Sequence, residues 1–172
     1  AEPVYNAKDR VHITEDTPPD SSAETPEVVL GIDGGSTTTK GALVDVNTGK
    51  LLDKLYIKTH GDPEASLKKV VSYLSKHRDS VRVKGVGTTG SARKLYEKIL
   101  LSGKHSSEMS KEGVVQADKV TDEITCHGLG VKHYNPDIDT IFEVGGQDMK
   151  FTTFDPETGN VRNAKMNYSC SI

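Results

Sequence analysis

The sequence predicts an α/β layered domain built around a mixed β-sheet. Short apolar runs next to glycine alternate with longer segments in which apolar residues recur every three or four positions, a mixture typical of strands and helices packed in layers. A strand, a glycine turn and a second strand also occur twice in the same order. With 172 residues, of which 34% are hydrophobic, the chain is long enough for one domain with its own core.

Residues 1–27 are expected to form a linker or a mobile arm. This segment holds four of the seven prolines together with seven carboxylates, and its few apolar residues have no regular spacing. The folded part is therefore expected to begin near Val28.

Three strands are predicted at the start of the folded part. Residues 28–33 form a short, mostly apolar run followed by glycine, which is typical of a buried strand. Residues 40–46 and 51–59 form the next two strands. They are joined by a turn in which Gly49 allows a positive φ.

A helix is predicted after these strands, because Asp62 is a suitable N-cap and Pro63 suits the first helical position. A fourth strand is predicted at residues 81–86. Four apolar residues fall on one face of the helix: Leu67, Val70, Val71 and Leu74.

The fourth strand is expected to lead through a glycine-rich turn into a helix at residues 91–101. Another helix is predicted from the spacing of Ala117, Val120 and Ile124, with Cys126 near its end. The predicted order is thus β-β-β-α-β-α-α followed by β-β-β. We expect residues 28–139 to form a first subdomain and residues 140–172 to begin a second, incomplete repeat.

The most informative pattern is an ungapped internal repeat, in which each residue n of one segment pairs with residue n + 110 of another. The first segment opens with Asp33 and two glycines, and the second opens with Glu143 and two glycines after one valine. Five pairs are identical: Gly35/Gly145, Lys40/Lys150, Asp45/Asp155, Thr48/Thr158 and Gly49/Gly159. A single such hairpin would more often be an ordinary glycine turn, but turn propensity alone does not explain this register.

Two acid-bearing glycine hairpins that face each other suit a nucleotide's phosphates and metal. Asp33 and Glu143 are expected to hold Mg²⁺ through its waters, because that ion loses water reluctantly. Gln147 is placed to orient an attacking water. The predicted cofactor-binding residues are those with open backbone N–H groups, hydroxyl donors or the repeated cation: Gly34, Gly35, Ser36, Thr37, Thr38, Lys40, Gly145 and Gly146.

Other nucleotide motifs fit less well. The Gly-Lys pairs at 49–50 and 103–104 are not followed by Ser or Thr, so no Walker A sequence is present. Residues 85–90 match the pattern G-x-G-x-x-G, but the expected second strand ending in an acid is missing after them. A dinucleotide site therefore remains only a minor alternative.

Charge and hydropathy exclude further classes of function. The net charge of −3 gives no electrostatic basis for binding nucleic acid. No apolar run approaches the roughly 20 residues that cross a bilayer, and we expect no membrane association. The protein is expected to be soluble and cytoplasmic.

The segments 31–40 (GIDGGSTTTK) and 142–150 (FEVGGQDMK) resemble the phosphate motifs of the actin and sugar-kinase superfamily. Together with EITCHG at 123–128 and NYSC at 167–170, the resemblance narrows to the ATP-dependent activators of 2-hydroxyacyl-CoA dehydratases, relatives of the benzoyl-CoA reductase ATPase subunits. It covers residues 28–172. The resemblance implies a ribonuclease H-like, actin-like ATPase domain with flanking helices.

The same resemblance implies an iron–sulfur ATPase. In such activators one [4Fe–4S] cluster is shared across a homodimer, with two cysteines from each subunit that correspond here to Cys126 and Cys170. Reduced ferredoxin or flavodoxin would load the cluster, and ATP hydrolysis would drive the electron into a dehydratase or reductase partner. Without this resemblance, two buried and unreactive thiols would be the simpler interpretation. His127 is not assigned to the cluster, because adjacent residues of a helix point in different directions.

Two departures from the family pattern lead to further expectations. Glu143 stands where short activators usually carry Asp. The glycine-rich turn after Cys170 and the second lobe that would hold the adenosine are absent, so we expect a fragment of a longer protein that binds ATP poorly by itself. Two alternative functions remain: a small-molecule, sugar-type kinase of the same superfamily, and a non-catalytic ATPase-like module that joins other domains.

Overall fold

The structure is a computed structural model that describes residues 25–101, 119–145 and 148–167. Most of the predicted arm lies outside these residues, and Glu27 is already part of the first strand. Their elements, in chain order, are β1 (Glu27–Gly34), β2 (Thr38–Asp45), β3 (Leu51–Lys58), α1 (Pro63–Leu74), a 3₁₀ turn (Ser75–His77), β4 (Arg82–Thr89), α2 (Arg93–Leu101), β5 (Lys119–Val120), α3 (Glu123–Tyr134), β6 (Thr140–Val144), β7 (Met149–Phe154) and β8 (Val161–Asn167).

The first five strands form a mixed sheet in the order β3-β2-β1-β4-β5. Strands β1, β2 and β3 pair antiparallel, whereas β4 pairs parallel to both β1 and β5. The mixed sheet predicted from the sequence is confirmed. Because β1 lies in the centre, the hairpin that follows it is anchored on both sides.

Helix α1 covers one face of this sheet as predicted. The Asp62 carboxylate accepts a hydrogen bond from the Ala65 N–H, and Pro63 occupies the first turn, so both features of the expected helix start are present. The four predicted apolar residues of α1 are fully buried against alternate residues of β1, namely Val28, Leu30 and Ile32. This alternation fixes which β1 side chains face the opposite side of the sheet.

The second sheet, β6-β7-β8, repeats the geometry of β1-β2-β3. Its first pair sets Glu143 opposite Lys150, as Asp33 lies opposite Lys40. The irregularity between the second and third strands also falls at corresponding positions, after Leu43 in one unit and after Thr153 in the other. The repeat seen in the sequence is therefore a structural repeat.

The turn between the second and third strands is the same in both units. Asp45 Oδ1 accepts hydrogen bonds from two backbone N–H groups and the Thr48 hydroxyl, at 2.7–3.0 Å. Asp155 Oδ1 accepts the corresponding bonds, including one from the Thr158 hydroxyl at 3.1 Å. The glycine that closes each turn has a positive φ, +69° in the first unit and +70° in the second.

The prediction for the helix that carries Cys126 was wrong in its position. Val120 belongs to β5, which pairs parallel to β4, and Ala117 lies outside the described residues. Helix α3 begins only at Glu123, because the Asp122 side chain accepts the Thr125 N–H and caps it there. Cys126 consequently lies in the first turn of α3 and not near the helix end.

Helix α3 packs on the second sheet, where Gly128 allows close contact with an aromatic ring. A Cβ at Gly128 would lie 3.0 Å from the Phe154 ring.

In the described parts of the chain, no helix has the length and apolar character needed to cross a membrane.

Candidate functional site

The two glycine hairpins open into one cleft of about 600 Å³, a size typical of small-molecule sites. Asp33 and Glu143 both line it, which is the arrangement that the repeat predicted. The other lining residues come from both hairpins, from α3 and from the turn before α2: Gly35, Ser36, Thr37, Thr38, Lys40, Ser91, Glu123, His127, Val144, Gly145, Asp148 and Lys150.

The first hairpin is a tight turn that leaves its hydroxyls free to face the cleft. The Gly35 N–H donates to the Thr38 carbonyl at 2.8 Å, so this amide is occupied within the turn. Ser36 and Thr37, between these two residues, are exposed, and Thr38 is half-buried. The first hairpin can therefore offer an anion the exposed residues at the tip of its turn, Ser36 and Thr37, as hydrogen-bond donors.

Gly34 has a different place from the one expected for a phosphate contact. It is buried outside the cleft, and a Cβ at this position would lie 2.3 Å from a ring carbon of Tyr96. Its carbonyl accepts the Ala92 N–H at 2.8 Å and the Ser91 hydroxyl at 3.3 Å. Gly34 therefore connects the first hairpin to the turn that precedes α2.

A chain of hydrogen bonds between buried hydroxyl groups supports the first hairpin at Gly35. Thr59 donates its hydroxyl proton to the Gly35 carbonyl at 3.0 Å, so it can only accept from Thr39, which lies 3.0 Å away. Thr39 in turn accepts from the Tyr96 hydroxyl at 2.9 Å. These hydrogen bonds connect the turn to helix α2 through the sheet.

The second hairpin repeats the turn of the first. The Gly145 N–H donates to the Asp148 carbonyl at 2.8 Å, the same distance as the corresponding bond from Gly35. Gly146 and Gln147 lie outside the described residues, so their predicted phosphate and water-orienting roles remain predictions.

His127 lies between the two hairpin acids and contacts both. Its Nδ1 donates to a carboxylate oxygen of Glu143, and its Nε2 lies 3.7 Å from Asp33 Oδ2. The first contact is a hydrogen bond, and the second is an ion pair when the ring is protonated. One imidazole from α3 thus bridges the two hairpins.

Charge in the cleft favours a protonated His127 and an ionised Asp33. The Asp33 carboxylate raises the pKa of His127, burial opposes this, and Glu143 adds to the increase. Burial alone would raise the pKa of Asp33, but His127 and Lys40 lower it below its ordinary value. The ammonium of Lys40 lies 2.7 Å from Asp33.

Lys150 differs from its repeat partner Lys40 in the acids that it contacts. Its side chain is 7% exposed, and its ammonium contacts Glu123 of α3 and, at 3.2 Å, Asp148. Burial would lower the pKa of Lys150, but these two carboxylates raise it. Glu143, which lies opposite Lys150 in the sheet, is left to pair with His127.

Six residues that line the cleft were not among the predicted site residues: Ser91, Glu123, His127, Val144, Asp148 and Lys150. Two of them, Glu123 and His127, lie on α3. They are four residues apart, so they lie on the same face of α3 and point toward the cleft together. The pattern that could have identified them is an acid and a histidine at helical spacing around Cys126. The N-cap at Asp122 had to be recognised first, because it places all three residues in the first two turns.

Gly90 is explained by a close approach to the acid of the first hairpin. Its φ is +84°, and a Cβ there would lie 2.4 Å from Asp33 Oδ1 and 2.6 Å from the Gly34 carbonyl oxygen. The last glycine of the G-x-G-x-x-G pattern at residues 85–90 is therefore needed for packing against the first hairpin. It does not support the dinucleotide alternative.

Cys126 faces a second, largely apolar cleft on the open side of the five-stranded sheet. It is a free, half-buried thiol, and its neighbours there include Gly31, Ala42, Leu55 and Leu129. Asp33 and Lys40 line both clefts, so the two cavities meet at the first hairpin. Cys170 lies outside the described residues, and its predicted role remains a prediction.

The residues of the cleft fit a hydrated magnesium ion. Two carboxylates from facing hairpins are the kind of ligands that Mg²⁺ accepts while it keeps several waters. Across residues 25–101, 119–145 and 148–167, no group of three or more His, Cys, Asp or Glu side chains converges as a direct metal cage. For an iron–sulfur cluster, Cys126 is available as one ligand, because it is a free and only half-buried thiol.

Sequence comparison finds a match over most of the chain. The sequence profile of the BadF/BadG/BcrA/BcrD ATPase family matches residues 30–171. The (R)-2-hydroxyglutaryl-CoA dehydratase activating ATPase of Acidaminococcus fermentans is 32% identical over an alignment of 98 residues, and the match covers 51% of this chain and 36% of that protein.

Two solved structures share the fold. The activator of the 2-hydroxyisocaproyl-CoA dehydratase from Clostridium difficile, with bound ADPNP, matches with a TM-score of 0.60 and 29% identity, over 83% of this chain and 46% of its own. Component A of the Acidaminococcus fermentans (R)-2-hydroxyglutaryl-CoA dehydratase matches with a TM-score of 0.59 and 26% identity. This match covers 83% of the present chain and 48% of component A. The fold is that of the actin-like ATPases, and the chain spans less than half the length of these relatives.

Proposed function

Because the chain belongs to the BadF/BadG/BcrA/BcrD ATPase family, we propose that it provides the phosphate-binding part of an ATP-hydrolysing activator. This activator passes a low-potential electron to a 2-hydroxyacyl-CoA dehydratase or a related reductase. The relatives named as dehydratase activators support this choice of partner.

One observation carries the proposal: both hairpins of the repeat open into the same cleft, where His127 bridges Asp33 and Glu143. Two unrelated glycine turns would have no reason to bring their acids within reach of one side chain. A site that holds a phosphate chain and its metal from two sides requires this arrangement.

The residues of the cleft have separate tasks in this proposal. The exposed hydroxyls of Ser36 and Thr37 donate to phosphate oxygens, and Lys40 offsets phosphate charge. Asp33 and Glu143 would hold Mg²⁺, and the ion would offset charge that develops on the phosphates during hydrolysis. The low pKa of Asp33 keeps it ionised for this task.

We also propose that Cys126 and Cys170 ligate a [4Fe–4S] cluster shared by a homodimer. Four thiolates are required and this chain has two cysteines, so two copies would complete the set. The position of Cys126 in the first turn of α3, beside the residue that contacts both hairpins, supports a cluster that responds to the nucleotide. Reduced ferredoxin or flavodoxin is the proposed donor.

The test uses the full-length protein, purified and reconstituted with iron and sulfide without oxygen. We expect a brown dimer with about four irons and ATP hydrolysis that depends on Mg²⁺. Asp33→Asn and Glu143→Gln should each lower hydrolysis by about a hundredfold. Glu157→Gln, which changes an exposed carboxylate in the β7–β8 turn, is the matched control and should leave hydrolysis unchanged.

Other outcomes would separate the alternatives. ATP consumption that requires an added sugar, by a colourless protein, would replace the activator by a small-molecule kinase. A partner reductase that keeps its activity with both acid variants would instead indicate a non-catalytic module.

A further inference from the structure

We propose that His127 is a positioning residue that couples the phosphate cleft to Cys126, with Glu123 as its support on the same helix. The inference rests on the nucleotide-binding function proposed above and deepens it. It assigns the link between the two clefts to two side chains of α3.

The first step is that α3 contacts both hairpins through one side chain. His127 donates to Glu143 of the second hairpin and lies 3.7 Å from Asp33 of the first. Within the described residues, these are the two acids that begin the repeated segments. The position of α3 therefore depends on where both acids are held.

The second step is a further contact one turn earlier. Glu123 pairs with Lys150, whose side chain is largely buried and whose ammonium also contacts Asp148. With attachment points four residues apart, α3 is held along one face and cannot pivot about a single contact. A change in the cleft then moves the first two turns as a unit.

The third step is that Cys126 points to the other cavity. Neighbouring residues on a helix are about 100° apart around the axis, so Cys126 and His127 face different sides of α3. His127 lines the phosphate cleft, and Cys126 lines the apolar cleft behind it. The thiol and the phosphate cleft thus lie on different sides of the same turn of α3.

The fourth step is competition for the same carboxylates. A magnesium ion would bind Asp33 and Glu143 more strongly than the imidazolium of His127 does. Phosphate oxygens would likewise compete with Glu123 for the ammonium of Lys150. The contacts that His127 makes with the two acids, and the contact between Glu123 and Lys150, should therefore both change when the nucleotide binds. The change is passed to Cys126 because it lies within the same rigid turn.

The experiment measures the accessibility of Cys126 in the full-length protein, free of cluster, with and without saturating Mg–ADPNP. Iodoacetamide labelling of the peptide that contains Cys126 is followed by mass spectrometry, and saturation is established for each variant by calorimetric titration. We expect nucleotide to change the labelling rate of the wild type by about threefold or more. In His127→Gln this change should disappear.

A matched control lies on the same helix. His133→Gln changes an exposed histidine in the last turn of α3, outside both clefts, and should retain the response of the wild type. Glu123→Gln, which keeps the helix start capped by Asp122, should reduce the response without removing it. Circular dichroism confirms that each variant is folded.

The outcomes are distinct. A full nucleotide response in His127→Gln would overturn the coupling role, and so would nucleotide binding to the wild type without any change at Cys126. If His127→Gln is folded but cannot be saturated, His127 is a binding residue and the positioning role is wrong. A wild type that does not bind Mg–ADPNP would refute the proposed function itself, and the coupling role with it.

Discussion

At the scale of single residues, the charges of the cleft determine what it can hold. The half-buried Asp33 has two cationic neighbours. Its Oδ2 lies 2.7 Å from Lys40 Nζ and 3.7 Å from His127 Nε2. Glu143 has His127 as its partner, and Lys150 is taken by Glu123 and Asp148. A magnesium ion can thus replace the cations beside Asp33 and Glu143, and a phosphate can replace the carboxylates beside Lys40 and Lys150.

The contact between His127 and the two acids predicts a pH dependence of stability. The pKa of His127 is raised above 6.5 in the folded state, so its contribution is fully present below that value and is lost as the pH rises through the folded pKa. We expect the difference in unfolding free energy between the wild type and His127→Gln to be larger at about pH 6 than at about pH 9. Urea unfolding at both pH values measures it, and a difference that grows toward alkaline pH would contradict the assignment.

Gly90 gives a prediction about close packing at the first hairpin. Gly90→Ala places a methyl group 2.4 Å from Asp33 Oδ1 at a φ of +84°. We expect a loss of about 2–4 kcal/mol in the free energy of unfolding, from backbone strain and overpacking together.

The matched control for this change is Gly61→Ala. Gly61 has a φ of +72°, but no atom lies within 4 Å of the added methyl group. It should lose only the backbone part, about 1–2 kcal/mol. Equal losses in the two variants, measured by urea unfolding, would show that the contact with Asp33 carries no cost.

At the scale of elements, the repeated unit of three strands is held by the same hydrogen bonds in both copies. The Asp45 and Asp155 turns match in their acceptors, their closing glycines and the position of the irregularity that follows. A turn of this kind fixes the register of the strands that it joins, and the register places Asp33 and Glu143 at the cleft.

The equivalence of these turns is testable with a pair of variants. Asp45→Ala and Asp155→Ala each remove an acceptor of three hydrogen bonds and should lower the midpoint of urea unfolding by similar amounts. Glu157→Ala, in the same turn as Asp155, should have no such effect. A loss in only one of the two aspartate variants would mean that the turns are alike in geometry but not in energy.

At the scale of the whole molecule, the cleft joins two sheets that share no strand. Helix α3 packs on the second sheet through Gly128 and reaches the first hairpin through His127. A ligand that contacts both hairpins should therefore stabilise the two sheets as one unit.

Ligand-induced stabilisation checks this expectation in the full-length protein. At a concentration a hundred times its Kd, Mg–ADPNP should raise the free energy of unfolding by about 2.7 kcal/mol. Differential scanning calorimetry should show one transition that moves upward as a whole. Two transitions of which only one responds would mean that the ligand contacts a single hairpin. Asp33→Asn should abolish the shift, whereas Glu157→Gln should retain it.

The sequence by itself determined what depends on neighbouring residues. The turns at Asp45 and Asp155, the cap at Asp62 and the buried face of α1 follow from local hydrogen bonding and helical periodicity, and the structure has them where the residues predict them. The internal repeat also predicted the common cleft, because its matching acids, glycines and turns form hairpins with the same strand pairing.

Only the tertiary structure decided how α3 meets these hairpins. The periodicity of residues 117–124 was interrupted by pairing of Val120 with β4, an interaction between distant residues that local patterns do not contain. The partners of His127, Glu123 and Gly34 could likewise not be read from neighbouring residues, since they are 16 to 94 residues away in the chain. Local chemistry fixed the two hairpins, and long-range packing brought the cysteine-bearing helix into contact with both.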